Sequence, residues 1–201
     1  MKRVCLFMTL VCMMMVSCKP DGSDGKHKGH GYVDLGLSVK WATCNVGATS
    51  PEEYGDYFSW GETSPKAEYT EGNSLTYGKD MSDISGIYDA ATANWGGTWR
   101  MPTFDELNEL RKRCTWTWTT QNGVNGYKVI GPSGASIFLP AAGGRSRSSL
   151  YDAGSCGFYW SSTPNDNEED DEAGRLDFVG GNQYVNYYSR CYGRSVRPVV
   201  E

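Results

Sequence analysis

Tyrosine, asparagine and arginine recur through the last third of this chain at a spacing that sets them side by side on one face of a sheet. Arg175 to Val179 and Gln183 to Arg190 read as strands, whose side chains alternate between two faces. Leu176, Phe178, Val185 and Tyr187 then point inward, while Arg175, Asp177, Tyr184, Asn186, Tyr188 and Arg190 point outward. Tyr offers a large flat contact and a hydroxyl at little rotamer cost, and Asn, Ser and Gly adapt hydrogen bonds around it, as in antibody loops. The segment from Ser146 to Ser155 (SRSSLYDAGS) has the same make-up. The candidate ligand-binding residues are therefore Arg145, Arg147, Tyr151, Asp152, Arg175, Asp177, Asn182, Tyr184, Asn186, Tyr188 and Arg190.

Other chemistry is sparse. No histidine follows His30, and neither a serine nucleophile elbow nor a phosphate-cradling glycine loop occurs, so the usual catalytic assemblies lack members. No catalytic residue, cofactor or metal is expected. The acidic stretch Asn165 to Glu172 (NDNEEDDE) lacks the glycine-bent pattern of a calcium loop and reads as a solvated loop. His27 and His30 have no carboxylate or cysteine at ligand spacing. Trp60, Trp95, Trp99, Trp116, Trp118 and Trp160 are expected to be core residues rather than a sugar platform.

The N-terminus carries an address. Lys2 and Arg3 precede an apolar run from Val4 to Val16, the layout of a secretory signal, and the run is too short for a permanent span. Met15-Val16-Ser17-Cys18 resembles a lipobox, so residues 1–17 are expected to be removed and Cys18 lipidated. Residues 18–31 contain no apolar side chain after Cys18 and are expected to form a flexible tether. Loss of Lys2 and Arg3 takes the formal charge from -5 to -7. An acidic chain without a basic stripe argues against nucleic acid as partner. The expectation is an exported protein, anchored by lipid to the outer membrane, with the cell surface favoured and the periplasmic face left open.

Residues 32–201 suffice for one domain with its own core. Tyr32 to Gly47 alternates about Gly36 as a hairpin, and Pro51 to Asp80 has no sustained period and reads as loops. Asp89 to Trp95 reads as a short helix closed by Gly96 and Gly97. Thr103 and Glu106 form a capping box for a longer helix with Phe104, Leu107, Leu110 and Cys114 on one face. Short strands follow at 115–120, 127–130, 135–139, 158–162, 175–179, 183–188 and 195–200. The class is α+β, a small antiparallel sheet with one or two flanking helices and long loops. Four cysteines remain, Cys44, Cys114, Cys156 and Cys191, either as disulfides, with three pairings open, or as buried thiols. The order of elements favours Cys44 with Cys114 and Cys156 with Cys191.

Several strings together resemble the Fibrobacter succinogenes major paralogous domain family, within the C-type-lectin-like superfamily. They are YVDLGLSVKWATCNVGA from Tyr32, DYFSWGE from Asp56, NWGGTWRMPTFDELNEL from Asn94 and CTWTWTTQNGVNGY from Cys114. LPAAG from Leu139, GFYWSSTP from Gly157 and GRSVRPV from Gly193 complete the set. The resemblance implies helices flanking a small twisted sheet, with a long loop region presenting the ligand surface. It does not imply calcium-dependent sugar binding, because the Glu-Pro-Asn, Gln-Pro-Asp and Trp-Asn-Asp triplets of such lectins are missing. The Asn, Tyr, Ser, Asp, Arg and Gly bias near the C-terminus is also similar to the variable proteins that retroelements diversify on this fold. The leading expectation is a lipoprotein that binds a protein or glycan through its C-terminal face, with adhesion as one use. A structural envelope component is the alternative, and an enzyme using carboxylates or Cys191 ranks last.

Overall fold

The capping box written into the sequence organises the longer helix. Thr103 accepts the Glu106 N–H at 3.2 Å, and the Glu106 carboxylate accepts the Thr103 N–H at 2.8 Å. This starts α2 (Phe104–Arg113), whose Leu107 and Leu110 are fully buried. The preceding helix, α1 (Ala90–Trp95), is capped by the Asp89 carboxylate, which accepts from the Ala91 and Thr92 N–H groups. Gly96 closes it at φ +68°, a conformation that favours glycine.

A computed structural model describes residues 24–165, 171–179 and 181–201. Its strands are β1 (Gly25–His27), β2 (His30–Val33), β3 (Lys40–Ala42), β4 (Thr115–Gln121), β5 (Val124–Ile130), β6 (Ser136–Pro140), β7 (Gly144–Ser146), β8 (Ser149–Tyr151), β9 (Gly157–Pro164), β10 (Glu172–Val179), β11 (Asn182–Ser189) and β12 (Val199–Val200). They form four small sheets in the orders β1-β2-β3-β12, β11-β10-β9, β4-β5-β6 and β7-β8, with every strand pair antiparallel. The class is α+β, as the element pattern predicts. β12 pairs with β3, Val199 opposite Trp41, which fastens the C-terminal end beside the opening hairpin.

The main core joins the sheets under α2. Val33, Trp41, Leu107, Leu110, Val129, Leu139, Leu176, Phe178 and Val199 pack in one cluster. A second cluster gathers Phe58, Trp60, Met101, Trp160 and Val196 beneath the long loops. Burying such side chains stabilises the fold by roughly 1.5–3 kcal/mol each. Trp60, Trp99 and Trp160 are fully buried as expected, and Trp95 and Trp116 are half-buried. Trp118 departs from the expectation: it is exposed, edge-on to Tyr127.

Three other expectations need correction. The expected tether extends to Gly31, yet Gly25–His27 and His30–Val33 pair as strands. Two aromatic contacts hold them in place: the His30 ring stacks on Trp95 at 3.8 Å, and the Trp99 indole N–H donates to the His27 carbonyl at 2.9 Å. Composition misses this, because the apolar partners lie far along the chain. Cys18 and the remaining expected tether lie outside the described residues, as do the signal segment and residues 166–170 of the acidic stretch. Second, all four cysteines are free thiols. Cys156 enters β9 beside Gly157, which pairs with Phe178, whereas Cys191 follows Ser189, which pairs with Glu172. The two thus belong to opposite ends of β10. Cys44 lines a groove with His30 and Trp95, while Cys114 caps α2 and packs on the main core. Third, the strand expected at 195–200 is reduced to Val199–Val200, and the hairpin β7-β8 appears between residues 139 and 158, where no strand is expected.

Candidate ligand-binding site

β11 is an edge strand, and its residues alternate between exposed and half-buried along its whole length. The alternation has the predicted parity. Val185 packs against the main core and Tyr187 stacks on Phe104 of α2, with ring centroids 4.8 Å apart. On the opposite face Asn182, Tyr184, Asn186 and Tyr188 are exposed, Tyr184 by 51% and Tyr188 by 39%. Tyr184 lies opposite Asp177, Asn186 opposite Arg175, and Tyr188 opposite Ala173.

The parity of β10 is also right, but its exposure is not. Arg175 is only 6% exposed and Asp177 5%. β10 is the central strand, so Leu176 and Phe178 face the main core while Arg175 and Asp177 face a second layer. That layer is built by β9, the β7-β8 hairpin and the segment after β11. Arg175 and Asp177 lie beside Trp160 and Phe158 of β9 in register. Arg194, 1% exposed, reaches in from the C-terminal segment, and its Nη1 donates to the Tyr151 hydroxyl. Gly144 makes room for it, since a Cβ there would collide with Nη1 of Arg194.

The two guanidinium groups lie among aromatic rings. Cζ of Arg175 is 3.7 Å from the Tyr188 centroid and 4.9 Å from that of Phe158. Cζ of Arg194 is 4.5 Å from the Phe158 centroid, 5.0 Å from Tyr192, and 5.4 Å from both Tyr151 and Tyr188. Arg175 Nη2 donates to Asp177 Oδ2 at 2.7 Å. Its Nε is also 2.7 Å from Oδ1 but off the line of a hydrogen bond, so the pair is held by one good bond rather than two. Burial lowers the pKa of Arg175, and the like charge of Arg194 lowers it further. Burial pushes the Asp177 carboxyl up against the pull of both arginines, and it also raises the Tyr151 hydroxyl.

The structure therefore brings together Tyr151, Arg175, Asp177, Tyr184, Asn186 and Tyr188 from the predicted set, with Asn182 at the start of the same exposed face. The others fall elsewhere. Arg190 is fully buried rather than outward: its Nε donates to the Glu172 carbonyl and its Nη1 to that of Lys79. Arg145 lies over the Tyr57 ring, and Arg147 and Asp152 occupy positive-φ positions flanking β8. Arg194, Tyr192 and Phe158 join the cluster without having been predicted. The signal for two of them is present in the sequence, since Tyr192-Gly193-Arg194 prolongs the Tyr and Arg composition of β11.

The thiols offer no activated nucleophile at this face. Burial pushes Cys114 up to about 11 and raises Cys156 and Cys191, which keeps the proton on sulfur. Among the described residues no three His, Cys, Asp or Glu side chains are placed to hold a metal ion, and no helix is long and apolar enough to cross a membrane. A separate groove of about 590 Å³ lies between Glu52, Gln121, Asn122, Lys128 and Phe138, with Asn122 donating to the Glu52 carboxylate at 2.7 Å.

A family described only as a domain of unknown function (DUF8237) matches residues 105–199, from the first turn of α2 to β12. That span contains every residue of the site just described. No curated protein and no solved structure matches the chain.

Proposed function

We propose that the chain is an exported lipoprotein, anchored through Cys18 to the outer membrane, whose C-type-lectin-like domain binds a protein or glycan through the exposed face of β11. One observation carries the binding reading: Tyr184, Asn186 and Tyr188 stand in a row on an edge strand, over a buried layer of two arginines and one aspartate. Exposed tyrosines beside an amide form an adaptable contact surface, and the buried layer fixes their backing. The raised thiols support binding over cysteine chemistry.

The test screens the full chain against arrays of glycans and displayed peptides. A retained ligand should be lost on Tyr184→Ala, Asn186→Ala and Tyr188→Ala together, with little change in Tm because these side chains are exposed. Full capture by that triple variant would sink the site. A permanent structural contact would instead show as an oligomer with this face buried, dispersed by the same three substitutions.

A further inference from the structure

Arginine does not shed its proton inside a protein, so a buried guanidinium must be met by acceptors or by an anion. Nine buried side-chain polar atoms have no hydrogen-bond partner among the described residues, and four of them belong to Arg175, Asp177 and Arg194. Two of the four, Arg175 Nε and Asp177 Oδ1, face each other at 2.7 Å, which leaves Nη1 of Arg175 and Nε of Arg194 without an acceptor. The carboxylate of Asp177 pairs with Arg175, Arg194 has the neutral Tyr151 hydroxyl, and the remaining neighbours are the ring faces of Tyr151, Phe158, Tyr188 and Tyr192. Ring faces attract cations but accept no directed bond comparable to a carboxylate. The cluster is one negative charge short.

We propose that this cluster receives the carboxylate of a uronic acid in an acidic glycan, with Tyr188 turning aside to admit it and Tyr184 and Asn186 holding the sugar ring. The proposal rests on reading the β11 face as the recognition surface. Tyr188 covers Arg175 from an exposed position on an edge strand, so turning its ring uncovers the guanidinium without moving the backbone. The cation–π attraction between Tyr188 and Arg175 is weaker than the charge-assisted pair that replaces it. A planar guanidinium fork matches a planar carboxylate. A uronic acid fixes that carboxylate to a rigid ring whose C–H face suits Tyr184 or Tyr188 and whose hydroxyls suit the Asn186 amide. A peptide carboxylate on a flexible stem uses less of this surface.

The experiment titrates the full chain by calorimetry with trigalacturonate, with its methyl ester, with glucuronate and mannuronate oligomers, and with a glutamate-rich peptide. At least one uronate should bind, and the ester should bind at least about tenfold more weakly, the effect of removing one charge-assisted bond. Asn186→Asp supplies a carboxylate directly across from Arg175. It should raise Tm by roughly 4 °C or more and abolish uronate binding. The Asn186 amide also bonds the Asp177 carboxylate, so the added carboxylate stabilises only if the two guanidinium groups outweigh its repulsion from Asp177. Equal binding of acid and ester, no uronate binding at all, unchanged or lowered stability in Asn186→Asp, or tighter binding of the peptide would each overturn the proposal. A neutral ligand lost in Tyr184→Ala but kept in Arg194→Gln would overturn the acidic preference while leaving the recognition face in place. A ligand kept by Tyr184→Ala, Asn186→Ala and Tyr188→Ala combined would remove the face itself.

Discussion

Four arginines of the C-terminal segment are almost completely buried, and they divide into two pairs. Arg197 donates from Nε to Asn45 Oδ1 at 2.8 Å, from Nη1 to the Ala42 and Thr43 carbonyls at 3.0 and 2.7 Å, and from Nη2 to the Phe138 carbonyl at 3.0 Å. Arg190 similarly ties the start of β10 to the loop at Lys79. Arg175 and Arg194 are buried as deeply, yet they leave donors without acceptors and lie against aromatic faces. Burial alone therefore does not tell a structural arginine from one held for a ligand. The accounting of its five donors does. Arg197 stitches β3, the Asn45 turn and β6 together, whereas the other pair is assembled beside the exposed tyrosine row of β11.

Removing a member of each pair should separate them. Arg197→Met strands several buried carbonyls at once, so it should cost on the order of 3–5 kcal/mol, read as a loss of folded protein in denaturant titration. A cost under about 1 kcal/mol would mean that the carbonyl clamp contributes little, and the distinction between the pairs would fail. Next in size is Gly144→Ala, which drives a methyl group into the Arg194 guanidinium and should cost about 1–3 kcal/mol. If that collision is the cause, combining it with Arg194→Ala should recover much of the loss, and simple additivity in the double-mutant cycle would refute it. Arg194→Met alone should cost about 1 kcal/mol, because methionine keeps the packing against Phe158 and Tyr192, only the bond to the Tyr151 hydroxyl is lost, and the Nε removed with it had no acceptor.

Local grammar is legible in the sequence, and layering is not. The capping box at Thr103 and Glu106, the α1 stop at Gly96 and the parity of β10 and β11 all follow from neighbours a few residues apart. Exposure of Arg175 and Asp177 depends on what covers the second face of β10, and that cover comes from Phe158, the β7-β8 hairpin and Arg194. No periodicity within β10 encodes it. The same limit applies to the N-terminal segment. A run of Gly, Lys, Asp and His has no apolar side chain of its own, and only the distant Trp95 and Trp99 turn it into an edge of the fold. Arg194 is missed for the opposite reason: it sits in the string GRSVRPV, which is read as a whole for its resemblance, and that reading hides the individual side chain.

The smallest expected effect tests the same accounting at a cation that can titrate. His30 stacks parallel to Trp95, and partial burial holds its pKa below the usual histidine value of 6.5. Unlike Arg175, it can meet an environment poor in acceptors by giving up its proton. The folded state therefore favours neutral His30, while the unfolded chain protonates it at its ordinary value. Its contribution to stability is fully present above about pH 6.5 and is lost as the pH falls through the lower folded value. Local opening of β1 and β2, followed by hydrogen exchange of the Tyr32 and Val33 amides, should accordingly accelerate between pH 7 and pH 5 beyond the intrinsic pH dependence of exchange. His30→Phe keeps an aromatic ring against Trp95 and removes the titration, so the excess acceleration should shrink in that variant. An identical pH profile in His30→Phe would assign the effect to other groups and leave His30 as a packing residue only.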